Sequence, residues 1–180
     1  MKRYIRDGNV GDLDAIAEML EDFVANHPAK SHPRSRDKLR EALFGDAPVA
    51  HVLVAVEHER VVGMVQWWRI FEMFWGMFGG RAEWLYVRPE ARGRAVAAML
   101  GAEVCKRVRD GGGEFLYLGS VEPSVTALYH RVTHGWPEQT HALSAEAFQR
   151  VADLAGASPR EIVCGMPSPE LNRVAPIRRR

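Results

Sequence analysis

Between Leu85 and Ala97 the sequence changes period, and no other stretch limits the fold as much. It reads Leu85-Tyr86-Val87-Arg88-Pro89-Glu90-Ala91-Arg92-Gly93-Arg94-Ala95-Val96-Ala97. An apolar, aromatic strand ends at Val87, a turn of small residues and arginines follows, and a helix opens. Val96, Met99, Leu100, Val104 and Val108 then recur at helical spacing and mark one buried face. A buried strand feeding an amphipathic helix has to lie in a layered sheet-and-helix domain. The first amides of such a helix lack internal partners and sit at the positive end of its dipole, so they suit an anion. Gly93, Ala95 and Ala97 let phosphate oxygens approach, and Arg88, Arg92 and Arg94 concentrate charge there. On the local pattern alone, an anion site and a plain strand-to-helix turn with solvated arginines are equally good readings.

The rest of the chain supplies more strands and helices of ordinary length. A strand at Tyr4–Arg6 and a turn at Asp7-Gly8-Asn9 lead to a helix through Leu13, Ile16, Ala17, Leu20, Phe23 and Val24, with Asp12 as N-cap. A polar loop is expected over His27–Arg36 and a short helix over Asp37–Phe44. A hairpin follows, Val49–Val56 and Val61–Trp68, then a strand at Ala82–Val87 after Gly79-Gly80. Gly111-Gly112-Gly113 ends the long helix ahead of a strand at Phe115–Leu118. Beyond it come a helix at Pro123–Val132, a strand near Gln139–Leu143, a helix at Ser144–Ala155, and an extended tail from Ser158.

Composition narrows the function classes. At 180 residues and 47% hydrophobic the chain is one folded domain, not a disordered one. Lys plus Arg number 24 against 23 Asp plus Glu, so no overall field steers it to nucleic acid. Cys105 and Cys164 form no CxxC or metal-ligand cluster, and MKRYIRDG has no apolar run behind it, which points to a cytoplasmic chain. The aromatic stretch Met64–Gly80 carries Arg69 and Glu72 and is too short to span a bilayer. Neither a GxxxxGK[ST] loop nor an early GxGxxG is present.

At the strand–turn–helix the chain resembles the GCN5-related N-acetyltransferase (GNAT) family. That family's motif is a strand ending in V-x-P, then R-G-x-G-x-G or A, then a helix; here it reads Val87-Arg88-Pro89 and Arg92-Gly93-Arg94-Ala95-Val96-Ala97. Element order supports the likeness over residues 3–143. The resemblance implies an α/β layered domain over residues 1–157, with a mixed, mostly antiparallel central sheet flanked by helices. Residues 158–180 would be a Pro/Arg-rich extension. It implies acetyl-CoA as co-substrate and no metal. The pyrophosphate would sit on the amides of Arg92, Gly93, Arg94, Ala95, Val96 and Ala97, with pantetheine along Leu85, Tyr86 and Val87 where the strands part. The family's second glycine is Ala95 here, a departure that bears on phosphate approach.

Acetyl transfer to an amine requires a base, an oxyanion donor and an acid for the leaving thiolate. By resemblance the acid is a tyrosine ahead of a glycine-aromatic pair, here Gly135-Trp136. The usual spacing lands on Arg131; Tyr129 is preferred because Val125, Leu128, Tyr129 and Val132 form one apolar stripe, with Thr133-His134 as an insertion. Glu83 is the base: beside Trp84 its carboxylate would be partly desolvated, and strand alternation puts Glu83, Leu85 and Val87 on one face. The oxyanion donor would be the backbone amide near Leu85 or Val87. Glu83 as a solvated sheet-rim carboxylate and Tyr129 as a core tyrosine are the bland readings beside these.

His130 and His134 read as exposed helix-end side chains, and Cys105 as a small core residue. Trp67, Trp68, Phe71, Phe74, Trp75 and Phe78 exceed what a plain hairpin buries, and suit an acceptor pocket or a homodimer contact, with membrane association as an alternative. The acceptor is a small-molecule or peptide amine of unassigned identity. The other function class open to this sequence is a degenerate member of the family that holds acyl-CoA as a sensor and transfers nothing.

Overall fold

The computed structural model describes residues 3–25, 35–119, 123–135 and 140–167. β1 (Arg3–Asp7) leads through a 3-10 turn at Val10–Asp12 into α1 (Leu13–Ala25), and α2 (Arg36–Phe44) precedes β2 (His51–Glu57). β3 (Arg60–Glu72) and β4 (Met77–Val87) form a long hairpin, followed by α3 (Val96–Asp110) and β5 (Phe115–Gly119). α4 (Pro123–His130), β6 (His134–Gly135), β7 (Thr140–Ser144), α5 (Ala145–Asp153) and α6 (Pro159–Gly165) complete the order. One sheet runs β1-β2-β3-β4-β5-β7-β6, with β4 and β5 parallel and every other pair antiparallel. This is the mixed, mostly antiparallel layered α/β architecture that the family resemblance implied.

The strands separate two apolar layers. On one face α1 lays Ile16 and Met19 against Val52, Val54, Val56, Met64 and Tyr86. On the other, α3 and α5 pack Val96, Leu100, Val104, Val108 and Phe148 against Leu53, Val65, Ala82, Val87 and Leu116. Each fully buried aliphatic side chain contributes about 2 kcal/mol of transfer free energy, so these layers dominate stability.

Several local expectations change. Asn9, not Asp12, caps the first turn; Asp12 returns its carboxylate to the Asn9 amide, completing a capping box. Arg6 also reaches Asp12, and holds its carboxyl below the usual range. β4 starts at Met77 and runs through Gly79-Gly80, because those glycines are close-approach residues rather than a break. A Cβ on Gly79 would stand 2.5 Å from the Phe115 ring, and one on Gly80 would stand 2.4 Å from Val108. The turn after Val87 contains a 3-10 turn at Pro89–Ala91, and α3 starts at Val96.

The extended tail expected from Ser158 is a helix over Pro159–Gly165. Ser158 Oγ accepts the Glu161 amide, the Glu161 carboxylate accepts the Ser158 amide at 2.8 Å, and Pro159 occupies the first turn. Ile162 buries this helix against the body of the protein. Most of the expected loop at His27–Arg36, the residue Trp136 and the terminal arginines lie outside the described residues.

Candidate active site

β4 and β5 pair along a short stretch: Gly80 with Leu116, Arg81 with Tyr117, Ala82 with Leu118. Beyond Ala82 the two strands part. From Glu83 to Val87, β4 has no ladder partner on its β5 side among the described residues, which leaves a wedge in the sheet. At the mouth of the wedge β4 bulges. Met64 pairs with Tyr86 but Gln66 pairs with Glu83, so Trp84 and Leu85 together face Val65. Trp84 takes φ 54°, the left-handed conformation of a bulge residue. A bulge leaves a backbone group outside the ladder, here on the β3 side of the strand whose β5 side is unpaired beyond Ala82.

The bulge reassigns faces. Glu83 does not share a side with Leu85 and Val87. Those two pack into the α3-side core, while Trp84 meets Phe23 of α1, ring centroids 5.5 Å apart, and Tyr86 packs with the same helix. Strand alternation from the α3-facing Ala82 puts Glu83 on the α1 face. One extra residue in β4 breaks the simple period-two reading. The Glu83 side chain is 31% exposed and takes a 2.7 Å hydrogen bond from Arg81 Nε.

At the opening of α3, Gly93 adopts φ 71°, and a Cβ there would meet nothing within 4 Å. Ala95 is the N-cap at φ 60° and provides no side-chain cap. Met99 donates to the Ala95 carbonyl at 3.0 Å, so the amides of Val96, Ala97 and Ala98 are the first-turn donors without intrahelical acceptors. Open space before Gly93, uncapped amides and the helix dipole together fit a pyrophosphate. A cleft of about 1270 Å³ adjoins this turn, between Arg3 of β1, Met99 of α3 and Ile162 of α6.

The three arginines do not act as one cluster. Arg92 folds back, with Nε donating to the Val87 carbonyl at 3.0 Å and its guanidinium 5.6 Å from the Tyr86 ring centre. Arg94 stays exposed, 3.8 Å from Glu57. Arg88 is buried and turned away: it donates to the Val61 carbonyl at 3.2 Å and pairs with Glu18 of α1. It is a strut between α1 and the sheet, so Arg88 does not join Arg92 and Arg94 at the turn.

Tyr129 packs against the α3-side core together with Leu85 and Ala97. Burial pushes its hydroxyl up to about 12. Glu83 and Tyr129 therefore lie on opposite faces of the sheet, with the wedge opening between those faces. Cys105 is fully buried, its thiol pushed up to about 12 by desolvation. Among the described residues, no group of three or more His, Cys, Asp or Glu could hold a metal ion. No helix among them is long and apolar enough to cross a membrane.

The aromatic stretch is divided between layers. Trp67 is buried beside His51, 4.9 Å between rings. Trp75 packs on Phe115 and Tyr117 at 5.4 and 5.9 Å. Phe71, Met73, Phe74 and Phe78 remain exposed around the hairpin tip. Sequence reasoning passed over two residues here: Arg81, legible as the i,i+2 same-face neighbour of Glu83, and Arg3, whose Nη1 donates to the Arg94 carbonyl at 2.9 Å.

A layered sheet parted between two parallel strands, with an uncapped helix opening at the end of one of them, is the fold of an acyl-CoA N-acyltransferase. The chain belongs to the acetyltransferase (GNAT) family, whose model matches residues 16–134. Among solved structures it is similar to a GCN5-related N-acetyltransferase from Kribbella flavida, at 18% identity and TM-score 0.62, covering 78% of this chain and 95% of that one. It is similar also to a GNAT-family acetyltransferase from Staphylococcus aureus Mu50, at 12% identity and TM-score 0.60, covering 78% and 98%. A third is a ribosomal-protein-alanine N-acetyltransferase from Brucella melitensis biovar Abortus 2308, at 22% identity and TM-score 0.53, covering 61% and 74%. These likenesses establish the fold. No curated protein matches the sequence significantly.

Proposed function

We propose that this protein transfers an acetyl group from acetyl-CoA to a primary amine of a small molecule or peptide, directly within a ternary complex. The observation that carries this reading is the wedge beyond Ala82, which ends beside the uncapped amides of α3 and the open Gly93. When bound, acetyl-CoA supplies the acetyl group as an activated thioester. The first-turn amides of α3, with Arg92 and Arg94, hold its pyrophosphate, and the unladdered edge of Leu85–Val87 orients its pantetheine.

The reaction forms a C–N bond and breaks a C–S bond. Glu83, on the α1 face, takes a proton from the acceptor ammonium and passes it to solvent. The oxyanion donor in this reading is the backbone amide near Leu85 or Val87, on the unladdered edge of β4. Tyr129 enters from the other face as the acid for the departing sulfur, and the second proton lost by nitrogen replaces the one it gives. Burial pushes the hydroxyl up to about 12, so it is protonated at neutral pH but a weaker acid than a solvated tyrosine, and its proton moves only as charge develops on sulfur. Approach of base and acid from opposite faces is what a gap through a sheet permits.

The test is acetyl-CoA turnover over an amine panel with Glu83→Gln and Tyr129→Phe. Each should lower kcat by about 10²-fold or more while CoA still binds by calorimetry. Unchanged turnover in both variants would remove these roles. A second reading, acyl-CoA binding without transfer, is favoured by the engagement of Glu83 with Arg81; it predicts CoA binding with no acetylation of any amine.

A further inference from the structure

The Arg81–Glu83 pair bears on what the acceptor carries besides its amine. Both side chains stand on the α1 face of β4, two residues apart, at the closed end of the wedge. Arg81 is the wider of the two to solvent, 46% exposed. Its neighbours across the ladders are Trp68 of β3 and Tyr117 of β5. Tyr117 donates to Glu72 at 3.2 Å and packs with Trp75, so Glu72 is committed to the tyrosine. Among the described residues, the surface beside Glu83 is thus the Arg81 guanidinium bounded by aromatic rings, with Trp84, 41% exposed, on the far side of Glu83.

A guanidinium is a planar fork suited to a carboxylate, and a carboxylate base faces an ammonium before it takes the proton. Here the fork and the base neutralise one another at 2.7 Å. An acceptor bearing ammonium and carboxylate on one carbon would open this pair and satisfy both halves, leaving neither charge unpaired. A bare amine would satisfy Glu83 alone and leave Arg81 without its partner. The rings of Trp68, Trp75 and Tyr117 offer apolar and π surface for a side chain extending beyond Arg81.

We infer that the acceptor is an α-amino acid with a flat or apolar side chain, its ammonium at Glu83 and its carboxylate on Arg81. This rests on the acetyltransferase reading above and goes further in assigning Arg81 a substrate. The experiment compares phenylalanine with phenylalanine amide and 2-phenylethylamine as acceptors, in the wild type and in Arg81→Gln. The amino acid should exceed both carboxylate-lacking probes by at least 10-fold in kcat/KM. Arg81→Gln should raise the KM for phenylalanine about 10-fold or more and bring the KM ratio between phenylalanine and 2-phenylethylamine toward one. Taking that ratio cancels any change the substitution makes at Glu83 itself. Equal or better use of 2-phenylethylamine by the wild type would overturn the inference, as would an equal KM change for both acceptors in the variant. Intact CoA binding with no acetylation of the amino acid would overturn it while sparing the cofactor assignment; absence of CoA binding would bring down the acetyltransferase reading beneath it.

Discussion

Arg3 donates from Nη1 to the carbonyl of Arg94 at 2.9 Å, so the first strand of the sheet holds the turn that opens α3. The same guanidinium pairs with Glu57 at 2.7 Å, and both side chains are about nine-tenths buried. Replacing Arg3 by Met removes the tie and leaves Glu57 with Arg94 alone, at 3.8 Å. Breaking a buried pair at one partner is costly. Arg3→Met should destabilise the protein by about 2 kcal/mol in urea melts and weaken CoA binding several-fold by calorimetry. Unchanged values for both would show that the turn stands without β1.

Ala95 occupies a left-handed conformation, where a Cβ costs about 1 kcal/mol, and it stands at the head of the proposed phosphate site. Ala95→Gly removes both strain and methyl group, at the cost of some extra unfolded-chain entropy. The variant should melt within about 0.5 kcal/mol of the parent, or above it, and bind CoA a few-fold more tightly. Weaker binding would mean that the alanine methyl does not oppose phosphate approach.

The two thiols should react separately. Cys105 is fully buried and pushed up to about 12, whereas Cys164 lies exposed on α6. A disulfide reagent such as Ellman's should titrate one thiol per chain in the native protein and two in denaturant. Cys164→Ser should abolish the native reaction.

Burial raises the Tyr129 hydroxyl from an ordinary value near 10 to about 12. As pH rises past about 10 the unfolded chain loses this proton first, so the unfolded state gains and stability falls between pH about 10 and about 12. Tyr129→Phe removes that contribution, and its stability should fall less steeply over the same window. Tyr117, raised to about 12 by burial and by Glu72, is common to both proteins and cancels in the comparison. Parallel stability curves for wild type and variant would refute the assignment.

The layers were legible because periodicity reports burial directly. The stripe Val96, Leu100, Val104, Val108 on α3 and the β-branched run of β2 are apolar where they face the core. What the sequence concealed was local geometry with no compositional mark. A bulge is one extra residue, and nothing in Glu83-Trp84-Leu85 announces that Trp84 turns left-handed and carries Glu83 to the α1 face. Gly79-Gly80 looked like punctuation because glycine serves both turns and close packing; which one holds depends on Phe115 and Val108, some 30 residues on. α6 was different: Ser158-Pro159-Arg160-Glu161 carries a capping-box signal, while Pro159, Pro167, Pro169 and Pro176 suggest an extended tail. At the site, the strand that carries Glu83 and the turn that opens α3 were legible from their patterns, but the face Glu83 takes was not, and Arg88 looked like a ligand because charge in sequence does not say which way a side chain turns.

The parting of β4 from β5 also has a mechanical side. Among the described residues the sheet is stitched across its parallel junction at Gly80–Ala82 and Leu116–Leu118 and no further, with α3 laid across both sides as a strap toward α5. The sheet is therefore two plates sharing a short seam. Anything lodged beyond the seam and bonded to both plates works as a second stitch, so occupancy should stiffen the molecule against shear between its two halves.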